Sequence, residues 1–450
     1  MISEFLSVLV DYAWGLPLVV LLMGGGFVLL AYSRFLPLTG MKRAFALVGG
    51  QFHHEGEKRA EGQISHFQAL MNALAATIGL GNIAGVAVAI SQGGPGAVFW
   101  MWVAALIGMN TKFFECTLSV MYRGKDYAGE VQGGPMYVIE KALPKKVGFL
   151  AIFFAVCGLI GTQALFQVNQ LSAYMKDQYE VSTLVVGIAS AAFVYVVISG
   201  GVRRLAMVSA SLVPFMCFFY VVISMYVLLS NSPKILPLLG SIFYEAFSGQ
   251  AVAGGVMGAG IIHVLKIGVK RAAFSNEAGV GTAPMAHGNV KTNEPVSEGL
   301  VAMLGPFFDT IVVCTMTALV LLISMPEGGW GDASGIVLTT QAFESLLPGF
   351  GTHFLGLAVL LFSVTTMIGM ANYNQKCWDF LFRGRWGMGK RAFSIVFCSC
   401  LVMGAVSEMN DVVNLLDIGY AFMAIPNMIA TIWLAPKVVP ALRDYFNRYP

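Results

Sequence analysis

Ala75 to Gly85 reads A-A-T-I-G-L-G-N-I-A-G and lies inside an apolar run from Phe67 to Ile90. A run of that length crosses a bilayer as a helix. Gly79, Gly81 and Asn82, poor helix formers, are gathered at its middle. An unwound turn in hydrocarbon frees backbone N–H and C=O groups, which persist only where protein, water or a ligand satisfies them. Two readings follow. One is a broken membrane helix whose freed backbone holds a solute and an ion. The other is a small-residue face on which a second helix packs.

The rest of the chain is built for the same solvent. It is 57% hydrophobic and 11% charged, with mean hydropathy +0.74; a soluble domain carries about a quarter charged residues. The expected class is an all-α polytopic membrane protein. Apolar spans are expected near Tyr12–Ser33, Phe67–Ile90, Ala97–Met121, Val147–Tyr174, Thr183–Ser199 and Ala206–Leu229. A glycine-rich region at Ala246–His287 follows, then Gly299–Met325, His353–Asn374, Ala392–Glu408 and Val412–Ala435, eleven transmembrane helices in all. The N-terminus shows no basic leader with a small-residue cleavage site, so the first span is expected to remain. The seven cysteines show no metal-ligand spacing, and neither a disulfide framework nor a structural metal is expected.

Lysine and arginine fall on alternate loops: Arg34, Lys42, Arg43, Lys58 and Arg59, then Arg123 to Lys146, Arg203, Arg204, Lys291, Lys376 to Arg391, and Lys437 to Arg448. The loops between hold only Lys176 and Lys234. Positive loops face the cytoplasm, which puts the N-terminus outside and the C-terminus inside. Ionisable residues near or within the spans are Lys112, Lys266, Lys270, Arg271, Glu115, Glu277 and Asp309. Lys112 and Glu115 are three apart and expected to pair on one helix face.

A second polar interruption, F-S-N-E-A-G-V-G-T-A-P from Phe274 to Pro284, lies in the glycine-rich region. Pro284, without a backbone donor, is expected to disturb a helix there. The order of elements from Phe67 to Leu229 recurs from Ala246 to Ala435: an interrupted span, a glycine–proline boundary (Gly94-Pro95, Gly305-Pro306), and further spans. Five spans followed by five are oppositely oriented, because five is odd. Interrupted segments at matching places in inverted halves point to a transport site near the midplane. The expected division is an extra N-terminal helix (1–36), a cytoplasmic loop (37–66), repeat 1 (67–229), repeat 2 with an external linker at its start (230–435), and a cytoplasmic tail (436–450).

G-L-G-N-I-A-G-V-A-V-A-I from Gly79 and G-G-P-G-A-V-F-W-M-W from Gly93 resemble the alanine or glycine:cation symporter family. So do T-K-F-F-E-C-T-L from Thr111, G-G-P-M-Y-V-I-E from Gly133, F-S-N-E-A-G-V-G-T-A-P from Phe274 and G-P-F-F-D-T-I-V-V-C-T from Gly305. The resemblance spans nearly the whole chain. It implies a leucine-transporter-like 5+5 inverted repeat preceded by one extra helix. It also implies a sodium- or proton-coupled carrier of small neutral amino acids in a prokaryotic cytoplasmic membrane, in contact with lipid and not with nucleic acid.

The resemblance further implies roles. Thr77, Gly79, Leu80, Gly81 and Asn82 form the first substrate-binding break, with the Leu80 and Gly81 N–H groups facing the carboxylate. Freed carbonyls at Ala75 and Ile78 with the hydroxyls of Thr365 and Thr366 hold Na⁺, matching the oxygen preference of a hard cation. Thr365 and Thr366, read without the resemblance, are hydroxyls bonded back to the preceding turn. Phe274, Ser275, Asn276 and Glu277 line the second break. Glu277 is either an ion or proton partner, or pairs with Lys270 or Arg271; Asp309 is structural. Where the family reads G-N-M-V-Q-A-N-S, this chain has Q-A-L-F-Q-V-N-Q, keeping Gln167; where it reads I-L-G-W-S-Y-Y-G, this chain has M-I-G-M-A-N-Y-N, with Met370 for Trp. Many members also have Thr where Leu80 stands. A thioether for a rigid ring implies a roomier pocket, fitting a side chain longer than alanine's, such as glutamine's. An enzyme is not expected: no His-Glu-x-x-His pattern or phosphate loop occurs. A channel usually needs a symmetric ring of subunits, which a pseudo-symmetric chain argues against.

Overall fold

The computed structural model describes residues 2–51, 61–127, 129–248, 257–326, 335–385 and 389–449. The first glycines of the Gly254–His287 region lie outside them. Each of the eleven apolar stretches carries a helix. Among the described residues seven helices are long and apolar enough to cross a membrane, and the bent pair His66–Thr77 with Gly81–Gly93 makes an eighth. Thr183–Ile198 and Lys390–Val406 are shorter, and Met257–Asn276 is more polar, with His263, Lys266, Lys270 and Arg271 along it. Outward faces are apolar: Phe215, Phe218, Tyr226 and Leu229 of Gly201–Ser230 are exposed, as a lipid-facing stripe requires.

The first broken helix occupies the centre. From Ala69 to Ile90 every residue is buried. It starts on a capping box, in which Ser65 Oγ accepts from Gln68 N–H and Gln68 Oε1 accepts from Ser65 N–H. Helix Gly351–Phe382 lies directly against it: a Cβ on Gly369 would stand 2.7 Å from Ala76 N. That contact admits only glycine.

Basic side chains knit one end of the molecule together. Arg123 donates to the carbonyls of Gly288, Val290 and Thr292, and Arg448 to Glu294. Lys376 donates to Gln132 (2.6 Å) and Asn289 (2.9 Å). At this basic end the segments flanking the two broken helices meet in a parallel bridge, Ile64 beside Val290. His66 and His287 both donate through Nδ1 to the buried Glu298. One carboxylate thereby clasps the starting end of the first broken helix to the finishing end of the second. A two-residue antiparallel pair, Gly124–Lys125 with Val131–Gln132, lies at the same end, with Gly124 opposite Gln132.

Four expectations change. The last helix runs from Met409 to Arg448, so residues 436–448 are its final turns and not a separate tail. Pro284 opens the short helix Ala283–His287 at its first turn, where its missing donor costs nothing. Lys112 and Glu115 form no ion pair among the described residues; Glu115 accepts from Asn427 instead. The span expected at Val147–Tyr174 is interrupted at Thr162–Ala164, between Phe149–Gly161 and Leu165–Tyr179. Asn374 donates there to the Leu159 carbonyl (3.0 Å) and to Thr162 Oγ1 (3.0 Å).

Candidate functional site

The first helix stops at Ile78, whose ψ of 95° leaves helical geometry. A single π-type stretch, Gly81–Gly85, restarts it, and the halves are bent by 54°. Asn82 builds the turn. Its Oδ1 accepts from Gly79 N–H at 2.8 Å, the donor an unbroken helix would aim at the Ala75 carbonyl. The Asn82 N–H bonds the Gly79 carbonyl at 3.1 Å. Ala75 O and Ile78 O thus lose their helical donors beside the break.

Thr366 stands over this backbone. A Cβ on Gly79 would collide with Thr366 Oγ1, so glycine is what lets the hydroxyl reach the opened turn. Thr366 Oγ1 is buried and has no hydrogen-bond partner among the described residues. Such an orphan costs about 1–3 kcal/mol, which a cation ligated between the hydroxyl and the freed carbonyls would offset. Thr365 differs: its Oγ1 donates to Leu361 O (2.8 Å) and Phe362 O (3.2 Å) and lies 3.3 Å from Met216 Sδ. Thr77 Oγ1 likewise bonds back to Ala73 O at 3.1 Å.

The second helix ends at Asn276. Phe274, Ser275 and Asn276 form its last turn. Glu277 takes φ 57°, a left-handed conformation costly for a side chain with a Cβ, and Gly279 and Gly281 follow at φ 84° and 92°. Glu277 does not reach Lys270 or Arg271. Its Oε2 accepts from Thr282 Oγ1 (2.5 Å) and its Oε1 from Tyr420 OH (3.0 Å). Lys270 and Arg271 go instead to Asp417, Lys270 at 3.5 Å.

Asp309 joins the two breaks. It lies in a π-type segment, Phe307–Cys314, a distortion common at functional sites. Its carboxylate accepts from Asn82 Nδ2 (2.6 Å) of the first break, Ser275 Oγ (2.9 Å) of the second, and Thr310 Oγ1 (2.6 Å). Asn276 Nδ2 donates to Thr310 (2.9 Å). Lys112 interacts electrostatically with Asp309, Glu277 and Glu115. This oxygen cluster is a second place where a hard cation or a proton would be held.

An aromatic wall closes the side of the breaks. The Phe274 ring lies beside the Gly81 backbone, 5.2 Å from Phe166, 5.7 Å from Tyr420 and 4.9 Å from the Arg271 guanidinium. Met370 Sδ is 4.0 Å from Tyr420 OH. Gln167 Oε1, Tyr373 OH and both polar atoms of Asn72 are buried with no partner among the described residues. The structure therefore brings together Gly79, Leu80, Gly81, Asn82, Phe274, Ser275, Asn276, Ala75, Ile78 and Thr366. The side chains of Thr77 and Thr365 are turned into their own helices. Asp417, Tyr420, Phe166 and the joining role of Asp309 were not foreseen; the signal for the two acids was a carboxylate inside an otherwise apolar stretch, Gly299–Met325 and Val412–Ala435.

Residues 1–449 match a family model described as the sodium:alanine symporter family. The sodium/alanine symporter AgcS of Methanococcus maripaludis is 39% identical over 442 residues, covering 97% of this chain and 95% of that protein. The probable sodium/glutamine symporter GlnT of Bacillus subtilis is 34% identical, over 97% and 89%. Among solved structures, MhsT in complex with L-phenylalanine superposes with TM-score 0.54 at 15% identity, covering 85% of this chain and 98% of that one. That likeness shows the fold, of the leucine-transporter class.

Proposed function

This chain belongs to the sodium:alanine symporter family, and we propose that it carries small neutral amino acids of the alanine and glycine class into the cytoplasm together with Na⁺, by alternating access. It is a membrane transporter and not an enzyme. The observation that carries the coupling is the buried Thr366 hydroxyl, without a partner among the described residues, set against the opened backbone at Gly79. In this reading Na⁺ bridges Thr366 Oγ1 and the carbonyls of Ala75 and Ile78. It thereby fixes the turn whose next N–H groups, Leu80 and Gly81, take the substrate carboxylate. The carbonyls of the Phe274–Asn276 turn take the ammonium group, since the Ser275 and Asn276 side chains are engaged with Asp309 and Thr310. Gln167, Met370 and the Phe274 wall shape the side-chain pocket, with Thr77 behind it.

Because Na⁺ and substrate share one turn, each raises the other's affinity by the same factor. A membrane potential adds about 2.3 kcal/mol per charge per 100 mV to inward movement. The architecture belonging to this reading is eleven spans, an extra helix followed by a 5+5 inverted repeat, in the cytoplasmic membrane of a prokaryote. The basic end faces the cytoplasm and the N-terminus lies outside. The helix in each apolar stretch and the gathering of Arg123, Arg383 and Arg448 at one end support it.

A second reading keeps the fold but couples to protons, or carries a longer neutral amino acid such as glutamine. It is favoured by the buried Glu277, whose carboxylate accepts from the hydroxyls of Thr282 and Tyr420, and by the thioether of Met370. The test is uptake of labelled alanine, glycine and glutamine into proteoliposomes. An inward Na⁺ gradient, a K⁺ control and an inward proton gradient are compared. Sodium-driven alanine uptake supports the first reading. Proton-driven uptake without sodium moves coupling to the second, and no uptake under either gradient removes the alanine-class assignment.

A further inference from the structure

Away from the central site, a cavity of about 530 Å³ opens between helix Pro135–Ala142, the corner that follows it, and the end of helix Gly351–Phe382. It lies at the basic end, where Lys141 of the first helix donates to the Arg123 carbonyl. Its charged lining residues are Glu140, Lys145, Arg383 and Arg385. Glu140 is spent on Arg383, whose guanidinium bonds it at 2.6 Å. Lys145 and Arg385 are exposed and enter no ion pair among the described residues. The lining therefore carries positive charge in excess, with two cations free to meet an anion.

The backbone adds to this field and the walls add an apolar track. Gly148 lines the cavity directly before helix Phe149–Gly161, so the positive end of that helix dipole lies there. Arg383 and Gly384 take successive left-handed conformations, φ 47° and 69°, the first costly for a residue with a Cβ. The chain turns there, and Arg385 reaches the same cavity. Ile152 lines the cavity and is 57% exposed. It belongs to an exposed apolar stripe, Phe149, Ile152, Phe153, Val156 and Ile160, at spacings of three and four. From 149 to 160 the stripe runs about 16 Å at 1.5 Å per residue. That is close to one leaflet, half of a hydrocarbon core about 30 Å thick.

We propose that this cavity holds the headgroup of one anionic phospholipid. Its phosphate lies against Lys145, Arg385 and the start of helix Phe149–Gly161, and an acyl chain follows the apolar stripe. A basic pocket between membrane helices suits an anionic headgroup. A soluble phosphate would use the charges and leave the stripe unused, and a zwitterionic lipid brings a cation that the excess positive charge repels. The lipid ties the start of helix Phe149–Gly161 to the end of Gly351–Phe382, the helix that carries Thr366 and Met370. The site is independent of which solute or ion the protein carries.

The test is native mass spectrometry of the full-length protein, titrated with phosphatidylglycerol and separately with phosphatidylcholine. The wild type is expected to retain one phosphatidylglycerol in preference to phosphatidylcholine. Its apparent Kd is expected to rise about five-fold in Lys145→Gln and in Arg385→Gln, the scale of one basic residue beside an anionic lipid, and to recover in Lys145→Arg. Arg443→Gln, which removes an exposed charge of the last helix outside the cavity, is expected to leave it unchanged. Glycerol 3-phosphate, the headgroup without chains, is expected not to displace the lipid at equal concentration. Should one cavity variant fail to fold, the other carries the test by itself. No preference for phosphatidylglycerol, or an equal loss in Arg443→Gln, means diffuse attraction to the basic end and overturns the site. Displacement by glycerol 3-phosphate makes the occupant a soluble phosphate and overturns the lipid.

Discussion

Two adjacent threonines illustrate what a single residue contributes. Sequence places Thr365 and Thr366 together, with no means of telling their hydroxyls apart, because both lie in one apolar helix and both can bond back to the preceding turn. In three dimensions Thr365 does so, against Met216, while the Thr366 hydroxyl is left above Gly79 without a partner among the described residues. Thr366→Ala is therefore expected to lower the sodium dependence of uptake at least about tenfold, the loss of one good cation ligand at roughly 1.4 kcal/mol. Thr366→Ser is expected to retain it, and Thr365→Ala to cost about 1 kcal/mol or less of stability without moving the sodium activation curve. Gly79→Ala is expected to behave as Thr366→Ala, because its new Cβ takes the hydroxyl's place. At Met370 a ring in place of the thioether narrows the space beside Tyr420. Met370→Trp is expected to reduce glutamine uptake relative to alanine, and unchanged selectivity in competition assays contradicts a pocket shaped there.

Among elements, the breaks differ in how plainly the chain announces them. The first was legible because Gly79, Gly81 and Asn82 leave a helix few other choices, and its turn is made by the asparagine itself. The second was legible as a region but not to the residue. The helix holds through Asn276 and the turn falls on Glu277, since partners distant in sequence, Tyr420 and Asp309, fix that conformation. The interruption at Thr162–Ala164 follows Gly158 and Gly161, but it carries no proline and lies inside an otherwise apolar span, and it was not read from the sequence. Its capping group, Asn374, lies 212 residues from Thr162. The basic-end clasp is also a long-range feature, built from His66, His287 and Glu298. Glu298→Ala removes the acceptor of both imidazoles. It is expected to destabilise the protein by about 3–5 kcal/mol, read as a lower thermal midpoint and as faster amide exchange around Ile64 and Val290. Unchanged exchange there means that the parallel bridge holds the two segments without the clasp.

Over the whole molecule, charge and hydropathy are the two patterns that sequence carries without loss. The class and the gathering of arginines at one end follow from them, as bilayer physics demands. The opposite end could not be read so simply, because Lys266, Lys270 and Arg271 sit within a span and Asp417, the partner of Lys270 and Arg271, lies on another helix. A single cysteine at position 11 is expected to react with an impermeant maleimide added to intact cells, and one at position 443 only after permeabilisation. The reverse pattern would invert the orientation proposed here. The central claim is narrower: Na⁺ is held between the Thr366 hydroxyl and the opened backbone next to Gly79, and the amino acid completes that turn. It is tested most directly by equilibrium binding of radiolabelled sodium to the purified protein, with and without alanine. The prediction is saturable binding in the wild type, tightened by alanine, preserved in Thr365→Ala and lost in Thr366→Ala. Sodium binding by Thr366→Ala with wild-type affinity and the same response to alanine would contradict it.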